Sequence, residues 1–516
     1  MNGRDYAPNS FRKDPMYKYK TTPYAHQEAC LAKFGRTRAF ALLADMGTGK
    51  SWIIINNAAD LWRHGLCDSV LIFAPNGVQT NWTRLELPAH MPDDIRWRAA
   101  AWSSTNAKAE RAMVEAVTQP SATGELRILT MNWEALTTAR GRKTVDAFCG
   151  RTKSLMIVCD ESDEIKNPAA QRTKALMRLR PYSVWRRILT GTPIDGTPFS
   201  AFSQFAFLDP AILGTTSYTA FKATYAEMLQ AGNPLLTAII KKGNLRFAPQ
   251  IVATGPGGRP RYRNLDELRR LIAPHTFRVL KTECLDLPPK VYTTVYFDLT
   301  AEQAAIYAKA EEELRLSFEG EDTPFNRLAI ATKLSQITSG YYLHPSSPDP
   351  VRIPGETPKL DAMAARVTAI VAAGGKVIVW ARYTVEIEDI TRVLAATGLS
   401  LVTYYGLTKK EARDAAIEAF ERGTAQVFIG NQQAGGTGIT LVAASVVMYF
   451  SNNFRLRDRL QSEDRAHRIG QTKAVTYLNL VAKDTIDEAV VRALMNKKDV
   501  ADCIVDGTLF QGGRQC

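Results

Sequence analysis

Short apolar runs recur along the first half of the chain, at Ala39–Ala44, Val70–Ala74, Arg127–Thr130, Leu155–Cys159 and Arg187–Thr190, with amphipathic stretches between them. Runs of this kind, bounded by turn residues and spaced by helix-period segments, are the pattern of parallel strands buried on both faces and joined by helices. The pattern predicts an α/β lobe. It returns after Lys359, at Lys376–Trp380, Leu401–Tyr405, Gln426–Ile429, Val446–Phe450 and Val475–Leu480, with helix-compatible segments such as Lys409–Arg422 between, and predicts a second α/β lobe. Between the two, Phe199–Gln250 and Thr300–Tyr342 carry aromatics and alanines at helical spacing with few strand signals, which predicts helical insertions around a junction. Gly255–Arg263, rich in Gly, Pro and Arg, reads as an exposed loop.

A length of 516 residues suits two or three domains, each with its own core. Sixty-five basic against fifty-two acidic residues leave a formal charge of +13, a balance that favours polyanionic partners or, equally, a solvated basic surface. Arg4, Arg12, Lys13, Lys18 and Lys20, interleaved with Tyr6, Tyr17 and Tyr19, read either as an arm on nucleic acid or as a tail, and Lys241, Lys242, Arg246, Arg259, Arg261 and Arg263 are candidates to line a duplex. Seven cysteines, an odd number with no pair at metal-ligand spacing, argue against a disulfide framework and predict reduced, mostly buried thiols. The longest apolar run, Leu441–Phe450, is too short to span a bilayer, so a soluble cytoplasmic protein is expected.

Candidate chemistry begins at Ala44-Asp-Met-Gly-Thr-Gly-Lys-Ser51, which follows an apolar strand and opens the helix-compatible run Trp52–Arg63. That is the setting of a phosphate-binding loop. Gly47 and Gly49 let backbone N–H groups approach phosphates, Thr48 lies between them, Lys50 reaches terminal phosphates, and the Ser51 hydroxyl helps hold Mg²⁺. Asp160 and Glu161 end the run Leu155–Cys159. Asp160 is placed as a metal-side carboxylate, and Glu161 as the base that orients and deprotonates an attacking water. Taken alone, the pair also fits a solvated helix cap. In Gln461-Ser-Glu-Asp-Arg465-Ala-His-Arg468-Ile-Gly-Gln471 the spacing predicts Arg465 and Arg468 on one helical face. Such a pair is either an exposed basic face or a phosphate-reaching one, since arginines supplied to a phosphoryl group stabilise its transition-state charge.

Taken together these segments resemble superfamily 2 helicases, specifically the Snf2-like ATP-dependent DNA translocases. Pro23-Tyr24-Ala25-His26-Gln27 looks like the motif whose glutamine reads adenine, which implies that role for Gln27. Ala74-Pro75 with Asn81-Trp82, and Leu129-Thr130-Met131-Asn132, resemble segments along the nucleic-acid track, implying backbone contacts for Pro75, Thr130 and Asn132. Asp160-Glu161-Ser162-Asp163 is similar to the family's Asp-Glu-x-His box, with Asp163 in place of the histidine thought to couple hydrolysis to nucleic-acid contact. Leu189-Thr190-Gly191-Thr192-Pro193 looks like the lobe-coupling motif, Phe207-Leu208-Asp209-Pro210 resembles the entry to a helical protrusion, and Phe277-Arg278 with Lys281 and Leu287-Pro288-Pro289-Lys290 match a Snf2-type stretch. Tyr405-Gly406, Ala434-Gly435-Gly436-Thr437-Gly438-Ile439, the Gln461–Gln471 motif and Thr485-Ile486-Asp487-Glu488 follow in family order, so that the resemblance covers roughly Thr22 to Asn496.

The resemblance implies two tandem RecA-like parallel-sheet lobes with helical insertions between them. The corresponding division is an N-terminal arm over 1–22, a first lobe over 23–210, insertions and junction over 211–356, a second lobe over 357–496, and a tail over 497–516. It implies ATP with Mg²⁺ between the lobes, with Gln27, Gly47, Thr48, Gly49, Lys50, Ser51, Gly436, Gly438 and Gln461 around the nucleotide. Ser51 and Asp160 would serve the metal, and Lys50, Asp160, Glu161, Arg465 and Arg468 would act in catalysis. Pro75, Thr130, Asn132 and Gly435 would lie on the nucleic acid. The implied partner is DNA, held by its backbone without sequence preference, and the implied protein is a monomeric ATP-hydrolysing motor of replication, repair or recombination. An RNA-directed helicase and a non-catalytic clamp are the alternatives.

Overall fold

The structure is a computed structural model that describes residues 17–121, 124–191, 197–230, 232–233, 236–237, 250–253, 260–319, 324–343, 349–408, 410–435 and 438–497. The chain divides into two compact units, Met1–Leu285 and Asp286–Cys516.

In the first unit seven strands form one sheet: β1 (Ala39–Ala44), β2 (Ser69–Ala74), β3 (Trp97–Trp102), β4 (Leu126–Asn132), β5 (Leu155–Asp160), β6 (Ser183–Thr190) and β7 (Thr276–Val279). Their order is β3-β4-β2-β5-β6-β1-β7, and every pairing is parallel. The continuous apolar runs have a simple cause. Ala41 and Leu43 point into one core and Phe40, Leu42 and Ala44 into the other, so neither face of β1 is left to water. The helix Lys50–Arg63 covers the second face with Ile53, Ile54, Ile55, Ala58 and Leu61.

Six strands build the sheet of the second unit: β8 (Lys290–Phe297), β11 (Val377–Ala381), β12 (Leu401–Tyr404), β13 (Val427–Asn431), β14 (Val446–Tyr449) and β15 (Val475–Ala482). The order is β12-β13-β11-β14-β15-β8, again all parallel. A separate antiparallel pair joins β9 (Tyr341–Leu343) to β10 (Pro350–Arg352). Here too the side chains alternate between two cores, Val377, Val379 and Ala381 on one face of β11 and Ile378 and Trp380 on the other.

The two α/β lobes expected from the apolar pattern are therefore present. The span 211–356, read as helical insertions, contains the helices Tyr218–Tyr225, Leu265–Ile272, Ala301–Glu319 and Pro324–Ile337, but it also supplies β7 and β8 as edge strands. Residues 17–22, read as part of an arm, pack onto the first unit. Tyr17 is buried and its hydroxyl donates to the Asn56 carbonyl and Oδ1 at 3.2 and 3.0 Å, while the Tyr19 ring packs at a tilt against Trp52. Cys30, Cys67, Cys149 and Cys159 are buried free thiols and Cys284 is half-buried; Cys503 and Cys516 lie outside the described residues. Among the described residues no helix is long and apolar enough to cross a membrane. The basic residues Arg4, Arg12, Lys13, Lys241, Lys242, Arg246 and Arg259 also fall outside them.

Candidate active site

The turn between β1 and the helix Lys50–Arg63 is built on two glycines in the left-handed region, Gly47 at φ 76° and Gly49 at φ 81°. Gly49 is also the residue before the helix, so the first-turn N–H groups have no intrahelical acceptor and open toward the turn. Thr48 is buried, with its hydroxyl on the Asp45 carbonyl at 2.8 Å. Lys50 Nζ donates to the carbonyls of Ala44 at 2.8 Å and Asp45 at 3.3 Å, holding the ammonium over the loop. Ser51 is half-buried at the helix start. The loop thus has the glycine-built, open-amide conformation that a phosphate cradle requires.

The helix Ala25–Phe34 is pinned to this loop by two side chains. His26 Nε2 hydrogen-bonds the Thr48 carbonyl at 2.8 Å, and Gln27 Nε2 donates to the Gly49 carbonyl at 3.4 Å while its Oε1 accepts the Tyr24 N–H at 2.9 Å. The residue expected to read adenine therefore sits against the cradle with both ends of its amide engaged. On the other side the turn after β6 closes in: a β-carbon at Gly191 would meet the Ala44 carbonyl at 3.6 Å. Thr192 and Pro193 of that motif lie outside the described residues. The Asp45 N–H donates to the Val279 carbonyl at 3.0 Å, and its Oδ2 accepts the Lys281 N–H at 2.9 Å, so the Snf2-type stretch after β7 is tied to the phosphate loop.

Asp160 is the last residue of β5, at the carboxyl end of the parallel sheet where such folds place their ligands. Its Oδ2 accepts the Trp82 Nε1–H at 3.0 Å, its Oδ1 accepts the Glu161 N–H at 3.1 Å, and its carbonyl accepts the Trp133 Nε1–H at 3.1 Å. Burial, then the adjacent Glu161 carboxylate, pushes Asp160 up to about 6, against the pull of the Trp82 hydrogen bond and the Lys50 charge. Among the described residues no lysine, arginine or histidine forms a salt bridge with it. A buried carboxylate with no side-chain ion pair among the described residues, at the same carboxyl end of the sheet as the loop that carries Ser51, suits a hard divalent cation. Glu161 itself is left-handed, at φ 51° and ψ 60°, an uncommon setting for a residue with a β-carbon. Asp163 is buried in the short 3₁₀ turn Ser162–Ile165, and Ser162 donates to Gln204 Oε1 at 2.6 Å.

In the second unit the motif residues also gather, with one correction. The helix Leu456–Glu463 ends before Arg465, so Arg465 and Arg468 do not share a helical face. They converge by another route: Arg465 Nη1 and Arg468 Nη1 both donate to the Ile439 carbonyl, at 3.3 and 3.4 Å, and the Leu441 N–H donates back to the Arg465 carbonyl at 2.9 Å. Leaving the helix is what frees that carbonyl for Leu441. Gly438, at φ 77°, turns the chain immediately before Ile439, and Gln471 Nε2 braces the same loop by donating to the carbonyls of Val442, Ala444 and Ala466. Gln461 is buried in the helix, Gly435 closes the short helix Gln432–Gly435, and Gly436 lies outside the described residues.

Along the expected nucleic-acid track, Pro75 is half-buried at the end of β2. Thr130 is fully buried and spends its hydroxyl on the Gln79 carbonyl at 2.7 Å, so it supports the segment from below and does not face solvent; Asn132 is buried as well. Reasoning from sequence missed Trp82 and Trp133 as supports of Asp160, and His26 and Asp45 as ties on the phosphate loop. Their signal is weak, because a tryptophan or aspartate beside a motif reads as filler until its partner is known.

A profile of the SNF2-related domain matches residues 18–340, and one of the helicase conserved C-terminal domain matches residues 360–470. The chain is 25% identical over 368 residues to the Chromodomain-helicase-DNA-binding protein 1-like of Mus musculus, an alignment covering 70% of this chain and 37% of that protein. It is 24% identical over 502 residues to the putative ATP-dependent helicase/translocase YwqA of Bacillus subtilis, covering 95% of this chain and 49% of the relative. It thus spans less than half the length of either. Among solved structures, the Sulfolobus solfataricus SWI2/SNF2 ATPase core in complex with dsDNA aligns at 24% identity and a TM-score of 0.40, covering 96% of this chain and 95% of that one. With the first profile spanning more than half of its residues, the chain belongs to the SNF2-related family.

Proposed function

We propose that the protein is a DNA-dependent ATPase that converts ATP hydrolysis into movement along duplex DNA, in replication, repair or recombination. One observation carries this: a glycine-built loop with Lys50 and Ser51 stands at the same carboxyl end of the parallel sheet as the buried Asp160 followed by Glu161. The names of the relatives, a helicase-DNA-binding protein and an ATP-dependent helicase/translocase, point the same way.

In this reading the first-turn N–H groups and Lys50 bind the phosphates, and Gln27 lies where an adenine would be read. Ser51 and Asp160 hold Mg²⁺, which when bound supplies charge neutralisation at the phosphate oxygens. Glu161 orients the attacking water and takes its proton. Arg465 and Arg468, ordered together on the Ile439 carbonyl, are a guanidinium pair suited to the charge of a phosphoryl group. Grip on the phosphodiester backbone makes the motion independent of base sequence.

The purified chain is expected to hydrolyse ATP faster with duplex DNA than without, and faster than with matched duplex RNA. Lys50→Ala and Glu161→Gln should each lower kcat by at least about 10²-fold, the scale of a lost catalytic group, while duplex binding by fluorescence anisotropy stays near that of the unmodified chain. Full turnover by Glu161→Gln would refute the assigned base, and the absence of any stimulation by DNA would refute the motor.

A further inference from the structure

Asp160 is held from three directions, and one of them differs in kind. The Glu161 N–H is its chain neighbour. Trp133 reaches its main-chain carbonyl, not its carboxylate, from the 3₁₀ turn that follows β4, where the indole stacks on Phe73 at 5.5 Å between ring centroids. Among the described residues Trp82 alone reaches the carboxylate oxygen by a side-chain hydrogen bond, and it does so from the segment that begins at Pro75, a stretch read as lying on nucleic acid.

Trp82 opens a single π-helical turn, Trp82–Glu86, set between the α-turns Val78–Asn81 and Leu87–His90. Inserted π turns recur at functional sites, and this one rotates the indole inward to bury it completely. The same segment is fastened once more at Gln79, whose carbonyl accepts the Thr130 hydroxyl. Between these two fastenings the segment cannot slide or rotate without breaking a buried hydrogen bond or moving the Asp160 carboxylate with it, and a buried bond of this kind is costly to leave unmade.

We infer that Trp82 is a positioning residue that transmits the state of the nucleic-acid track to the metal-side carboxylate, a route of coupling that does not need the histidine absent at position 163. This rests on the function proposed above. Because coupling between two ligands is reciprocal, DNA on the track should favour the carboxylate position that serves Mg²⁺-nucleotide, and Mg²⁺-nucleotide should tighten the hold on DNA by the same factor.

Trp82→Phe keeps a buried aromatic ring and removes the N–H donor along with part of the indole's volume, a loss the same exchange at Trp133 shares. Trp133→Phe is the control, since it removes a donor to the main-chain carbonyl of the same residue and leaves the carboxylate hydrogen bond in place. Two quantities are read on the full chain: the ratio of DNA-stimulated to unstimulated hydrolysis, and the ratio of duplex affinities with and without a non-hydrolysable ATP analogue plus Mg²⁺. In Trp82→Phe both ratios should fall by about fivefold or more, the low end of ordinary allosteric coupling, whereas Trp133→Phe should keep both even where its rates drop. If thermal melting shows Trp82→Phe to be unfolded, Thr130→Val, which releases the other fastening, is expected to give the same loss. Unaltered ratios in Trp82→Phe or, in its place, Thr130→Val would overturn the inference, as would an equal loss in Trp133→Phe, which would mark general support of the site. An unmodified chain that ignores DNA would instead bring down the proposed function, and this inference with it.

Discussion

A methyl group at Gly49 would lie 2.1 Å from Nε2 of Gln27, on a backbone already at φ 81°. The position thus demands glycine twice over, for the turn and for the glutamine that closes it. Gly49→Ala is expected to cost about 1–3 kcal/mol of local strain and to push Gln27 off the loop, and nucleotide affinity by calorimetry should fall at least about tenfold. The neighbouring side chains differ in how openly the sequence announces them. Lys50, Ser51, Asp160 and Glu161 are legible because their chemistry requires fixed residue types at fixed spacing after a strand. Trp82 is not, since its role depends on a partner 78 residues away across the sheet.

Among elements, β8 and the helix Leu456–Glu463 meet through a buried cluster of charges. Glu463 Oε2 accepts Lys290 Nζ at 3.0 Å and the Tyr292 hydroxyl at 2.8 Å, and its Oε1 accepts Arg459 Nε at 2.8 Å. Burial works to raise the Glu463 carboxyl, but Arg459 and Lys290 outweigh it and hold the group below the ordinary glutamate range. A carboxylate depressed in the folded state contributes stability above its unfolded value and loses it as pH falls through the folded one. The melting temperature of the second unit should therefore decline on acidification below the usual carboxylate range, with Glu463→Gln less stable near neutrality and less sensitive to acid; an unchanged acid limb in that variant would exclude the account. The strands that went unread are explained at this scale as well. β3 carries Ala99–Ala101, which has no strand signature, and β7 and β8 are partly exposed edges whose alternation lacks the continuous apolar run of a central strand. The end of the helix before Arg465 was illegible for a different reason, since a tertiary hydrogen bond to Leu441, outside any local propensity, draws the chain away.

For the molecule as a whole, a surplus of 13 positive charges favours a polyanionic partner, and the number of phosphates contacted sets how the proposed grip on DNA responds to salt. If the chain contacts 6–10 phosphates, duplex affinity should drop by about 10³–10⁵ between 50 and 200 mM salt, with little dependence on sequence; an anisotropy titration with a shallow salt slope would argue against backbone tracking. The two-lobe architecture was legible because both sheets are buried on both faces, so each central strand advertises itself as an apolar run. The left-handed backbone at Glu161 carries a consequence at this scale too. A side chain is kept there against conformational preference, so glycine would relax the backbone while deleting the proposed base. Heat tolerance and turnover therefore pull position 161 in opposite directions, and a lineage or a laboratory screen rewarding only persistence of the fold would drift toward a sturdier chain with a stalled engine.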